Sequence, residues 1–215
     1  MGVSVEKASA PLCPASESMI AQWAEDLYAQ APMPDKPLNR RLVDMATHMA
    51  RKPADAIAQV FEDAAGVKGA YHCIENDRLT PLALRRAFAE KTVRDVAGRP
   101  VVLCVQDTTS LAFPRAPATE GLGMISDSDL QGIMVHSVLA LCDNGLPIGL
   151  LDQQTWVRPE KRQETRAERY RLPIEEKESF KWIAGMQASR KALDELPAPQ
   201  RPRLVHIFDR EGDVH

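Results

Sequence analysis

Two apolar runs in this chain each deliver an aspartate into a polar cluster: "VVLCVQDTTSL" carries Asp107 and "LVHIFDREGDV" carries Asp209. An acid at the tip of a buried strand is well placed for chemistry, although such acids also form turns and cap helices. If the two strands lie side by side, both carboxylates reach one edge of a sheet about one strand spacing apart. Carboxylates that close repel each other unless a cation lies between them. Magnesium suits the pair, with manganese as its substitute, because it is hard, takes oxygen ligands and commonly uses one or two carboxylates plus phosphate oxygens. Two such ions activate water on one side of a phosphodiester and stabilise the leaving oxygen on the other. Phosphoryl transfer is therefore the chemistry this pattern points to.

A second set of residues is basic. Between residues 35 and 52 there are five cations (Lys36, Arg40, Arg41, Arg51, Lys52) and two acids (Asp35, Asp44), a local net charge of +3. Clustered Lys and Arg favour phosphate binding, while a charged run is more often a solvated helix face. His136 stands among apolar strand residues and is expected to be a satisfied core histidine. His206 and His215 have no ligand spacing with any cysteine. Arg210 and Glu211 are expected to support the site's geometry rather than to bind an ion, and Trp156 to pack.

The elements that must hold these residues follow from periodicity. Residues 1–15, small and proline-containing, form a loose lead-in. Ile20, Trp23, Ala24, Leu27 and Tyr28 repeat at helical spacing behind Ser16 and Ser18 as caps. A second helix runs from about Pro37, with Leu38, Leu42, Met45 and Met49 on one face, until Pro53. A short piece through Ile57, Val60 and Phe61 precedes "AAGVKGAYHCIEND", whose two glycines predict a turn beside a helix start. Thr80-Pro81 opens a helix through Leu84, Ala87 and Phe88. At Gly98-Arg99-Pro100 the period turns extended, which predicts a domain boundary there. "VVLCV" (101–105), 133–141 and 146–156 are expected strands in an antiparallel meander, with Asn144-Gly145 as the hairpin turn. The mixed charges between Arg158 and Lys177 predict a solvated loop or helix surface. A helix from Glu176 to about Leu196, burying Trp182, Ile183, Met186 and Leu193, then leads through "PAPQRP" to the strand "RLVHIF".

Composition narrows the class without naming it. The 215 residues are 44% hydrophobic and 27% charged, enough to bury a core, and the net charge of −3 leaves any nucleic-acid contact to local patches. Four scattered cysteines fit a reducing cytoplasm. No apolar stretch approaches the roughly 20 residues of a membrane span, and the first residues lack a basic segment followed by an apolar one, so the chain is expected to be unexported. Walker A, GxGxxG, HExxH and CxxC patterns are absent, removing the common nucleotide, zincin and redox alternatives. An aspartate-nucleophile phosphatase, with Asp107 attacking, usually needs a second acid two residues on, where this chain has Thr109.

Five blocks, "VQDTTSLAF", "VHSVLAL", "PIGLLDQQTWVRP", "EEKESFKWIAGMQASR" and "FDREGDVH", resemble in order the catalytic core of bacterial cut-and-paste DDE transposases, in particular the Tn-five-type transposase of insertion elements. "WAEDLYAQ", "NRRLVDMATHMA" and "GVKGAYHCIEND" resemble that family's N-terminal DNA-binding domain, so the likeness runs from about residue 17 onward. It implies an α+β or α/β chain: a helical transposon-end DNA-binding domain (16–98), then an incomplete RNase H-like mixed sheet with a crossover helix (99–215). It also implies that Asp107 and Asp209 are the first two metal-binding aspartates of the catalytic triad, holding Mg²⁺ or Mn²⁺. Arg40, Arg41, Arg51, Lys52 and Lys68 would contact the phosphates of double-stranded transposon-end DNA, with a homodimer in the DNA complex and no membrane partner. The family's third acid is a glutamate on a later helix beyond a long inserted β region. Position 215 precedes it, so the chain is expected to be the front half of a longer enzyme, impaired or inactive alone. The alternative is a non-catalytic DNA-binding remnant or an inhibitor of intact transposase.

Overall fold

Side-chain caps and prolines set the helix boundaries in the first part of the chain. The computed structural model describes residues 16–29, 31, 33, 35–114, 119–125, 130–158, 168 and 171–212, with the side chain of 211 excepted. The expected lead-in, and most of the charged stretch after Arg158, lie outside the described residues. Ser16 caps helix α1 (Glu17–Tyr28) by accepting from Met19 N at 3.3 Å, and Asp35 caps α2 (Lys36–Arg51) by accepting from Leu38 N at 2.9 Å. Each oxygen satisfies a donor that the first helical turn leaves unpaired. Ala24, Leu27 and Tyr28 of α1 and Leu38, Leu42 and Met45 of α2 are buried, while Trp23 and Met49, expected on the same faces, stay 39% and 43% exposed. Asn39 Nδ2 ties the two helices by donating to the carbonyls of Tyr28 at 2.6 Å and Ala31 at 3.0 Å.

After the short α3 (Ile57–Val60) comes α4 (Ala64–Ile74), where the glycines had predicted a turn. Asp63 caps α4 through Gly66 N at 2.6 Å, and both glycines lie within the helix. Their lack of a Cβ serves close approach rather than chain reversal: an added Cβ would lie 2.8 Å from Phe61 Cδ1 at Gly66 and 2.8 Å from Arg41 Nη1 at Gly69.

The chain divides into two units, Met1–Thr80 and Pro81–His215. The break therefore differs from the expected one at Gly98. Helix α5 (Pro81–Val96) starts at the predicted proline but packs on strand β4 (Pro147–Trp156), so it belongs with the sheet. Val93 and Val96 join its core, and Arg85 Nη1 donates to Gln153 O at 2.7 Å.

The sheet has five strands: β1 (Val101–Ala112), β2 (Gly123–Met124), β3 (Gln131–Leu141), β4 and β5 (Arg203–Ile207). β3 runs antiparallel to β1, β2 and β4, giving the expected meander, and β5 lies parallel to β1 on its other side. Gly145, at φ 82°, takes the left-handed position of the hairpin turn. Helix α6 (Phe180–Leu193) packs on β3, β4 and α5. Val102, Cys104, Val138, Ala140 and Leu151 fill the core against Val93 and Val96 of α5 and Leu193 of α6. On the alternate positions, Leu139, Val205 and Ile207 remain 37–42% exposed. The result is an α+β arrangement of helices followed by a mixed sheet with its own helices. Among the described residues no helix is long and apolar enough to cross a membrane.

Candidate functional site

Parallel pairing of β1 with β5 sets the position of the two aspartates. Val101 pairs with Arg203, and the register holds to Val105 opposite Ile207. Asp107 and Asp209, both exposed, each stand two residues beyond the last pair of that register. β5 ends before its aspartate, as expected. β1 does not: β3 pairs with it from Leu103 to Ala112, and Asp107 faces Ser137 inside the ladder. The β-branched Thr108 and Thr109 suit that extension.

Below this edge runs a chain of polar side chains. Thr108 Oγ1 lies 2.9 Å from His136 Nδ1, His136 Nε2 lies 3.0 Å from Gln106 Oε1, and Gln106 Nε2 lies 3.1 Å from His206 Nδ1. An amide oxygen only accepts and an amide nitrogen only donates. His136 Nε2–H therefore donates to Gln106, its Nδ1 accepts from the Thr108 hydroxyl, and His206 Nδ1 accepts from Gln106. Burial, followed by the nearby Lys181, pushes the His136 imidazole from 6.5 down to about 4, against an opposing pull from Asp107. Burial lowers His206 as well. Trp182 meets the His136 ring edge-on at 4.6 Å, and Phe208 lies 5.5 Å from Trp182. Gly185 of α6 leaves room for this packing, since a Cβ there would lie 2.6 Å from Gln106 Oε1. His136 is thus a satisfied core histidine.

Around the rim, Lys181 Nζ stands 5.7 Å from the Trp156 ring and 5.5 Å from the Trp182 ring. Arg158 grips both carboxylate oxygens of Glu178 and also donates to Ile125 O at 3.2 Å. Neither Lys181 nor Gln106 was singled out by sequence. Their signal was available only as polar residues within the quoted blocks. Arg210 is exposed, while the Glu211 side chain, Asp213 and His215 fall outside the described residues. Among the described residues no group of three or more His, Cys, Asp or Glu side chains gathers as a ligand cluster. A pair of aspartate carboxylates is an all-oxygen donor set of the kind that suits a hard cation taking its other ligands from water or phosphate.

In the helical unit, the five expected DNA-contacting residues do not form one stripe. Arg41 and Lys68 line a groove of about 600 Å³ between α2 and α4, together with His72 and Asn76. Arg51 and Lys52 line a separate depression of about 360 Å³ at the far end of α2. About ten residues of helix separate the two groups, roughly 15 Å along the axis. Arg51 lies 3.6 Å from Glu17, Lys52 Nζ lies 3.4 Å from Gln59 O, and Arg40 is exposed on α2. His72 was not singled out by the sequence.

Residues 20–79 match the family model described as transposase DNA-binding. The match falls inside the helical unit and ends one residue short of its boundary. That unit therefore has a DNA-binding role of the transposase kind.

Proposed function

We propose that this protein acts in DNA transposition: its helical unit holds the duplex at a transposon end, and its sheet unit supplies two carboxylates for phosphodiester chemistry on that DNA. The match over residues 20–79 carries the reading. The β1–β5 register supports including Asp107 and Asp209: carried two residues past its last pair, Val105 and Ile207, it would set them side by side, in keeping with the RNase H-like core that the sequence blocks resemble. Asp107 and Asp209 would hold Mg²⁺ or Mn²⁺, which activates water and stabilises the leaving oxygen. The polar chain below fixes β1, β3 and β5 against one another, so that the two carboxylates keep their spacing. Arg41 and Lys68 on one side and Arg51 and Lys52 on the other give two phosphate contacts, with Arg40 beside Arg41 on α2.

Titrating the protein with Mn²⁺, followed by the ion's paramagnetic resonance, tests the metal reading. Asp107→Asn and Asp209→Asn should each weaken binding at least about tenfold, since either removes one of two charged ligands. Unchanged affinity in both variants would sink the assignment. Incubation with duplex DNA and Mn²⁺ then separates the two modes of action: nicking supports a catalytic protein, whereas binding without nicking supports a DNA-binding protein that pairs or competes with intact transposase.

A further inference from the structure

We propose that Gly69 is a positioning residue for DNA: by withholding a Cβ from α4, it lets the Arg41 guanidinium lie across that helix, where it receives a backbone phosphate of the duplex together with Lys68 and His72. The proposal deepens the DNA-binding reading and rests on it.

A glycine inside a helix destabilises it relative to alanine, so its presence calls for a reason. α4 has two. At Gly66 the reason is packing, because an added Cβ would lie 2.8 and 3.2 Å from Cδ1 and Cβ of Phe61, which is only 8% exposed. At Gly69 the three nearest atoms are Nη1, Cζ and Nη2 of Arg41, at 2.8, 2.9 and 3.2 Å. They are the far end of a flexible side chain, which could swing into solvent at little cost to the fold. Folding therefore does not require glycine at 69. The placement of the guanidinium does.

That placement suits a phosphate. Arg41 meets Asp44 through one long contact of 3.4 Å between half-exposed side chains, which leaves most of the five guanidinium N–H donors for a ligand. The groove it enters also contains Lys68 and His72, and its one acid, Asp35, is engaged by Leu38 N and by Arg78 Nη1 at 2.9 Å. A planar fork beside an ammonium matches the geometry and charge of a phosphodiester.

The test is anisotropy of a labelled mixed-sequence duplex of about 25 base pairs with the full chain at two salt concentrations, alongside thermal melts. Gly69→Ala should melt at or above the parent temperature yet bind about tenfold more weakly, with a salt slope smaller by about one. Arg41→Ala should lose at least as much, and the double variant should bind no worse than Arg41→Ala alone. Weak binding by Arg41→Ala with parent-like binding by Gly69→Ala overturns the role of Gly69 and leaves the DNA-binding reading standing. Parent-like binding by Arg41→Ala removes this groove from the interface and the proposal with it. A melt lowered by several degrees in Gly69→Ala shows a packing role instead and also overturns the proposal.

Discussion

His136 is wholly buried, yet each of its ring nitrogens has a partner, and both partners flank Asp107 in the chain. Replacing it with alanine would leave Thr108 and Gln106 without their hydrogen bonds and open a cavity under Trp182, so His136→Ala should cost about 3 kcal/mol or more, measured by urea unfolding. The same residue sets a pH dependence. With the folded value near 4 and the unfolded value near 6.5, the unfolded chain alone takes up a proton between them. Stability is therefore complete above about pH 6.5 and should fall as acid is added, by up to about 3 kcal/mol near pH 4. His206, lowered by burial, adds to the slope with the same sign. Unfolding midpoints at about pH 7.5 and pH 5 should differ clearly in the parent and less in His136→Gln.

Among the elements, two helical glycines should respond in opposite ways. At Gly185 a Cβ would meet Gln106 Oε1 at 2.6 Å and Val138 Cγ2 at 3.0 Å, groups that packing and hydrogen bonds hold in place. Gly185→Ala should lift α6 off the sheet and cost about 1–3 kcal/mol, visible as a lowered melting temperature, in contrast to the neutral or raised value at Gly69. Much of this layer was legible in the sequence, because caps, prolines and alternation are local signals: Ser16, Pro81 and Asn144-Gly145 stand where they were expected. The glycines of α4 suggested a turn beside a helix start, because a glycine that admits a neighbouring side chain looks, in sequence, like one that reverses the chain. The length of β1 beyond Val105 was hidden for a similar reason, since it depends on β3 pairing with it across an intervening loop. Of the candidate site, the core character of His136 was legible. The hydrogen-bond chain was not, because its members are brought together by register alone.

For the whole molecule, the placement of α5 decides where the chain can be divided. A fragment of residues 81–215 keeps α5 against β4 and should retain cooperative melting, whereas one starting at residue 99 loses Val93 and Val96 from the core and should not. Circular dichroism melts of the two fragments give the comparison directly.

The parallel pairing of β1 and β5 also bears on how the molecule is built in time. It joins segments about a hundred residues apart, whereas β3 and β4 are neighbours across a tight hairpin. Closing so large a loop is slow and entropically costly, so the hairpin is expected to form first and the seam between β1 and β5 to close last. Substitutions in β5 should then hasten unfolding while leaving the refolding rate nearly untouched, a pattern that stopped-flow chevrons would reveal. A nascent or partly unravelled molecule would keep β5 away from β1 until everything else was in order.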